Sequence, residues 1–580
     1  MSDLEQLRDD LAAATFVPGT ESVAEHEVRL RRARRLLEVK LLFEAGAGRG
    51  PGAPPVVVIA GGTNVGKSTV FNWVVGEAVA SSSPLARHTK APTAFVHVAE
   101  VAPLRDGAAF MPGYRRLTLE RPQDAAAEAV EGQVAIFLRG HQREETRGVI
   151  LIDSPDIDST HQKNHEVAED LLFLADELVF VSTPEKYNDE LCVRYLRHAA
   201  RLQKGLVAVL NKGADQEVAR DFKEVVVPGL AAETAVLLLP WVQRPDPSAG
   251  PEAWREELRR AVLPGKERAA ALRKAALRGA CAELGQDVDR VGNRLREELS
   301  ELDRVRAEVD LVLAAQRDVY VRFLEGLEFY ELDRVLERVM RYFRIPVLDA
   351  VYDGVRGAFS FLGTQVSRLA GRQEKDTRTL KIEARAEQDR QKIKELLESA
   401  RGEVLEVPAV HGGSLHGAVP GWLSGLQAVS VAEINAAVQQ FLARGEAETE
   451  RWIEKETKRQ VELIEAHPYA RNALRALKGS LQIGSGLASA YLTAGLGPWD
   501  LLIGTATERA IKILLESAGG AVHYQNLKRE FTNERGALFL QSLDEAVGRP
   551  LKQRLPAGTD PERLDRLARA VSSLRKGELP

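Results

Sequence analysis

One run of residues carries the clearest chemistry in this chain: Gly61, Gly62, Thr63, Asn64, Val65, Gly66, Lys67 and Ser68, followed by Thr69. The order fits G-x-x-x-x-G-K-[ST], in which glycines let backbone N–H groups turn inward around β- and γ-phosphate oxygens. Lys67 would reach those phosphates and the Ser68 hydroxyl would ligate Mg²⁺. Such a loop needs a strand to deliver it and a helix to receive it. Val56-Val-Val-Ile-Ala60 is an apolar, β-branched run of strand length, and from Lys67 onward apolar residues recur at helical spacing. The helix N-terminus adds its partial positive charge to the same place.

Further residues belong to this chemistry. Gly148-Val-Ile-Leu-Ile-Asp153 places a carboxylate at the end of an apolar strand, where it can hold Mg²⁺ through a water. Leu206-Val-Ala-Val-Leu-Asn211-Lys212-Gly213-Ala214-Asp215 ends another strand with Asn, Lys and a carboxylate. An Asp so placed can accept from both N1–H and the exocyclic amine of guanine, a pattern adenine does not offer. Arg87-His-Thr89-Lys-Ala-Pro-Thr93 supplies two candidates, Thr89 and Thr93, for a hydroxyl that closes over the metal, with Thr93 preferred for its nearness to the next strand.

A chain of 580 residues is too long for one core and divides into domains. Hydrophobic residues at 44% and charged residues at 28% describe a globular protein, and a net charge of −5 argues against a general DNA or RNA binder. Cys192 and Cys281 are too few for a disulfide framework or a cysteine metal site and read as buried thiols. The opening Met1-Ser-Asp-Leu-Glu-Gln has no apolar signal core, so the expectation is a cytoplasmic protein, peripheral at the inner face of a membrane if it meets one.

The elements fall into three stretches. Residues 1–54 read as a helical arm, amphipathic over 22–45, with a Gly/Pro linker. Residues 55–262 alternate strands with helices: Val56 to Ala60, Ala94 to Val98, Gly148 to Ile152, Glu177 to Ser182, Gly205 to Leu210 and Ala235 to Leu239. That predicts an α/β domain with a doubly wound, mostly parallel sheet whose ligand lies beyond the strand C-terminal ends. An extra helix is expected near Asp124 to Arg143. From 263 to 580 almost everything reads as long helix, over Lys266 to Phe343, Lys375 to Glu403, Val431 to Leu477 and Glu508 to Leu543, a large all-α, stalk-like region. Val407 to Ser424 reads as a loop with solvated His411 and His416.

With these residues in place, the region from about 55 to 245 resembles the G domain of Era-like and dynamin-like GTPases, through Gly61-Gly-Thr-Asn64-Val-Gly66-Lys67-Ser68-Thr69, Asp153-Ser-Pro and Asn211-Lys212 with Asp215. The resemblance implies GTP and GDP as ligands, with nucleotide contacts from Gly61 through Thr69, Thr89, Asn211, Lys212 and Asp215. It assigns Mg²⁺ to Ser68, Thr93 and Asp153, and catalytic contributions to Lys67, Asn64 and Thr93. In several relatives the loop Asn, here Asn64, helps bind K⁺ in place of an arginine finger. Thr89-Lys-Ala-Pro also resembles the dynamin T-R-R-P signature. Two departures stand out. Asp156 occupies the place of the switch glycine, and Asn211-Lys-Gly-Ala-Asp215 is one residue longer than N-K-x-D, so either the turn bulges or Ala214 takes the Asp place. Ile157 stands where many regulatory GTPases carry a water-orienting Gln, so the resemblance implies slow turnover unless K⁺, a backbone contact or a nucleotide-dependent homodimer completes the site.

The long interval between Lys67 and Asp153 and the flanking helices favour a dynamin-like arrangement, in which hydrolysis moves a helical domain. Two apolar stretches, 342–371 and 480–507, suit either hairpins meeting an anionic membrane surface, with Trp499 at the interface, or closely packed helices in a stalk core. The alternatives are a ribosome- or RNA-associated Era-like GTPase and a non-hydrolysing, nucleotide-gated scaffold.

Overall fold

The computed structural model describes residues 3–20, 23–46, 49–50, 52–80, 91–119, 134–159, 162–213, 215–226, 234–242, 252–327, 329–343, 367–411, 413, 415, 431–466, 468 and 521–576. The 480–507 stretch, most of 342–371, Thr89 and Ala214 lie outside them. The chain divides into two compact units, one of residues 1–16, 22–299 and 558–580, the other of 17–21 and 300–557. These units do not follow the chain-order boundaries at 54 and 262.

In the first unit, α1 (Asp3–Ala12) and α2 (Val23–Leu36) are followed by a π-helical turn, Leu37–Leu41, and α3 (Leu42–Ala45). The sheet then begins with β1 (Val56–Gly61), followed by α4 (Lys67–Val75), β2 (Thr93–His97), α5 (Val98–Asp106), β3 (Arg115–Thr118), β4 (Ala135–His141) and β5 (Ile150–Asp153). Next come α6 (Gln162–Leu174), β6 (Glu177–Ser182), α7 (Glu190–Arg201), β7 (Gly205–Leu210), α8 (Gln216–Asp221), β8 (Ala235–Leu238) and α9 (Glu252–Val262). The strand order is β3-β4-β2-β5-β1-β6-β7-β8. Among the described strands only β2 against β5 pairs antiparallel, so β2, β3 and β4 run opposite to the other five.

β1 and β6 are buried along their whole length, which is why residues 56–60 of β1 and 178–181 of β6 read as unbroken apolar runs. Alternate residues serve the two faces: Val56, Val58 and Ala60 pack on one side with Leu178 and Phe180, while Val57 and Ile59 pack on the other with Val179 and Val181. The helix expected near Asp124 to Arg143 is corrected over its second half. Ala135–His141 is β4, a strand between β3 and β2 whose Ile136 and Leu138 join the core.

The helical arm is bound to this sheet. Lys40, fully buried, donates to Asp176 at 2.5 Å and to Glu44 at 3.1 Å, while the second oxygen of Asp176 accepts from the backbone N–H of Val56 at 2.8 Å. A buried ion pair with its remaining oxygen satisfied fixes the root of the strand that carries the glycine loop. Leu4, Leu7 and Leu11 of α1 extend the same core.

The long helix α10 (Lys266–Glu325) ends at Gly326, whose N–H bonds back to the carbonyls of Arg322 and Phe323. This breaks the continuous helix expected to Phe343 and starts α11 at Tyr330–Tyr342. In the second unit α12 (Ser367–His411), α13 (Val431–Ala466) and α14 (Ala521–Leu543) follow, then a π-helical turn and α15 (Arg549–Arg554). Residues 407–411, expected in a loop, continue α12. Leu302, Val305, Val309 and Leu313 recur at three- and four-residue spacing and pack with Ile393, Leu396, Phe441, Phe539 and Leu543. The final helix, α16 (Pro561–Arg575), returns to the first unit, where Arg566 holds Asp10 of α1 with two bonds of 2.8 and 2.7 Å.

Candidate functional site

The site forms where β1 ends. Gly61 lies beside Val181 of β6, and a Cβ on it would sit 2.1 Å from the Val181 carbonyl oxygen, so only glycine allows β1 to turn out here. The loop enters α4 through Gly66 at φ +100°, where a Cβ would lie 2.4 Å from Asn211 Nδ2. The glycines are thus required by close approach, and the loop is held by its neighbours.

Lys67 is 6% exposed and folds back over the loop, donating to the Gly62 carbonyl at 2.8 Å and pairing with Asp156. Asp156, in the place of the switch glycine, is the carboxylate this lysine meets. Ser68 Oγ donates to Asp153 Oδ2 at 2.8 Å. A hydroxyl and a buried carboxylate in contact make a pair of hard oxygen donors of the kind Mg²⁺ takes. Thr93 begins β2 and is 8% exposed, standing in register with Asp153 across the antiparallel pair. Thr69 lies in the first turn of α4 beside Ser68.

Asn211 and Lys212, after β7, also bond to the loop. Asn211 Nδ2 donates to the Val65 carbonyl at 2.9 Å, and Lys212 Nζ to the Asn64 carbonyl at 2.6 Å. Asn64 itself adopts φ 61°. Lys212 and Gly213 both take left-handed backbone, at φ 65° and φ 80°, and Gly213 N–H bonds to the Leu239 carbonyl at 3.0 Å. Asp215 caps α8, its Oδ1 accepting from Glu217 and Val218 N–H at 3.0 and 2.9 Å.

Two residues without a motif of their own complete the surroundings. Asp158 Oδ1 accepts from Thr63 N–H and Thr63 Oγ1, both at 2.6 Å. Lys186, beyond the end of β6, donates to the Thr63 carbonyl and to Asp158 Oδ2, both at 3.0 Å. Burial works to raise the Asp158 carboxyl, but the hydrogen bonds from Thr63 and Lys186 hold it below the ordinary carboxylate range. Ile157 between the two carboxylates is 4% exposed and gives no polar group to the site. Cys192 is buried, and burial first, then Asp189, pushes its thiol up to about 12, so it offers no nucleophile here.

Residues 56–212 match the family model described as 50S ribosome-binding GTPase. That stretch is a P-loop GTPase domain. It holds the phosphate loop, Asp153, Asn211 and Lys212. No curated protein matches the sequence. Two solved structures, both described as an oligomerised bacterial dynamin pair that senses and tethers membranes over long range, align with 99% of this chain and 94% of theirs. Their identities are 10% and 12% and their TM-scores 0.46 and 0.48. Among the described residues no helix is long and apolar enough to cross a membrane.

Proposed function

We propose that this protein is a dynamin-like GTPase that hydrolyses GTP to GDP and phosphate with Mg²⁺ and couples turnover to rearrangement of its helical region at an anionic membrane surface. The observation that carries the hydrolytic reading is the 2.8 Å contact of Ser68 with Asp153 beside the buried Lys67, at the mouth of a glycine loop. In this reading the N–H groups of Gly61 through Thr69 cradle the phosphates and Lys67 leaves Asp156 to bind their oxygens. Ser68, Asp153 and Thr93 hold Mg²⁺, which when bound neutralises charge on the phosphates. Thr89 would contact nucleotide from the segment ahead of β2. Asn211 and Lys212 brace the loop, and Asp215 reads guanine with the carboxylate that also caps α8. The Asn64 side-chain oxygen is the ligand we assign to K⁺.

Because Ile157 has no polar atom to orient water, the proposal includes a nucleotide-dependent homodimer that completes the site. The membrane part is supported by the apolar composition of 480–507 and by the aromatic stretch within 342–371 with its basic flank. The location we propose is the cytoplasm, peripheral at the inner face of the membrane. A second reading, a ribosome-associated GTPase, is favoured by the description of the matched family and opposed by the net charge of −5.

The test is phosphate release by the purified protein with GTP and with ATP, in K⁺ and in Na⁺, with and without anionic liposomes. The expected result is GTP-selective release that liposomes stimulate and K⁺ supports, and that Lys67→Ala reduces by at least about 100-fold. GTP binding with no phosphate release under any condition would sink the hydrolytic reading in favour of a nucleotide-gated scaffold. Co-sedimentation with ribosomes and none with liposomes would favour the second reading.

A further inference from the structure

The phosphate loop is gripped by two lysines in the same manner. Lys67 Nζ bridges the Gly62 carbonyl to the carboxylate of Asp156. Lys186 Nζ bridges the next carbonyl, that of Thr63, to the carboxylate of Asp158. The two ammonium groups therefore sit on consecutive peptide oxygens of one loop, each paired with a carboxylate from the segment that follows Asp153. One is the lysine of the loop itself, and the other arrives from 123 residues beyond Thr63.

The setting of Lys186 is built. Its own N–H bonds to the Thr183 carbonyl at 3.0 Å, as does that of Tyr187 at 3.1 Å, so the turn after β6 fixes its backbone. Its side chain is 39% exposed, and among the described residues only two of its three N–H groups find partners. Asp158 takes the N–H and the hydroxyl of Thr63 together with this ammonium, the set of donors an anionic phosphate oxygen would accept from. A Cβ on Gly62 would come within 2.9 Å of Asp158 Oδ2, so the carboxylate lies directly against the loop backbone.

We propose that Lys186 is a second lysine of the phosphate site, contacting the terminal phosphate of a bound nucleoside triphosphate, and that Asp158 is the residue that positions it. The inference rests on the GTPase reading above. An incoming terminal phosphate competes with Asp158 for the Thr63 donors and takes over the ammonium of Lys186. Asp158, whose side chain is 14% exposed, then exchanges the donors it gives up for water. A cation held at the terminal phosphate from the turn after β6 supplies in cis what an arginine finger supplies elsewhere, while Ile157, after β5, contributes nothing polar.

The experiment measures affinity of the full chain for a non-hydrolysable triphosphate analogue and for the diphosphate, with guanine and adenine bases, together with single-turnover phosphate release. The variants are Lys186→Met, Lys186→Arg and Asp158→Asn. For Lys186→Met the expected result is triphosphate affinity weakened about 10-fold more than diphosphate affinity and release slowed by about 100-fold. Lys186→Arg should recover most of both, since it keeps the charge. Asp158→Asn should narrow the gap between triphosphate and diphosphate while keeping diphosphate affinity. Equal losses for the two nucleotides, or no loss, would overturn the proposal and leave Lys186 a loop tether. If the unaltered protein binds adenine nucleotides instead, the guanine reading fails while the phosphate contact is still judged by the same ratio. If it binds neither base, both readings fall together.

Discussion

At the scale of single residues, the charged groups in this structure are held by competition between burial and partners. Around the phosphate loop the partners prevail, and Asp158 stays ionised because Thr63 and Lys186 offset its burial. At the opposite end of the strands the balance reverses. Glu177, the first residue of β6, is fully buried, and burial pushes its carboxyl up to about 7 despite the pairing with Arg268. A carboxyl with a higher pKa folded than unfolded contributes stability that is fully present below the unfolded value, near 4.5, and lost as pH rises through about 7. Glu177→Gln should therefore raise thermal stability at pH 8, by up to about 3 kcal/mol, and change it little at pH 5. Melting curves of both proteins at the two pH values check this, and an equal effect at both would remove ionisation of Glu177 as the cause.

At the scale of elements, the position of α10 against the sheet depends on a missing side chain. A Cβ on Gly279 would lie 2.1 Å from the Leu202 carbonyl oxygen and 2.9 Å from the Gln203 nitrogen, at the turn between α7 and β7. Backbone atoms cannot retreat as a flexible side chain can, so Gly279→Ala should destabilise by about 2 kcal/mol as α10 is displaced. Gly292, on the same helix, has only the Arg296 side chain at 3.9 Å from its Cβ position. There Gly292→Ala should stabilise by about 0.5–1 kcal/mol through helix propensity alone. Denaturant titrations of the two variants should shift in opposite directions. Loss of stability in both would mean that α10 is constrained by something other than this contact.

At the scale of the whole molecule, the two ends of the chain complete one unit. Asp10, 3% exposed, accepts two bonds from Arg566, and Leu564, Leu567, Val571 and Leu574 of α16 join a core that contains Leu284, Val288 and Val291 of α10. Removing residues 558–580 exposes that apolar surface and leaves a buried carboxylate without its guanidinium. The truncated protein should melt several degrees lower and bind a dye for exposed apolar surface, and the Asp10→Ala variant should lose about 1–3 kcal/mol. Unchanged melting after truncation would show that α16 is not a structural part of this unit.

How much of this was legible in the sequence follows from how local each feature is. The glycine loop, its strand and its helix are contiguous, so Gly61 through Ser68 declared their conformation without help from distant residues. Asp153 and Asn211 were legible because each ends an apolar run that is buried on both faces. Other features depend on partners far along the chain. Ala135–His141 carries a pattern short enough for either helix or strand, and pairing on both sides by β3 and β2 made it a strand. Asp158 and Lys186 show no spacing or motif, because their meeting at Thr63 joins segments 28 and 123 residues apart. The left-handed backbone at Lys212 and Gly213 likewise depends on a distant partner, the Leu239 carbonyl that accepts from Gly213 N–H. The sequence by itself determined the phosphate loop and the strands around it, since those are written in adjacent residues. Only the tertiary structure decided which distant charges stand against that loop, because folding brings them together through the order of the strands.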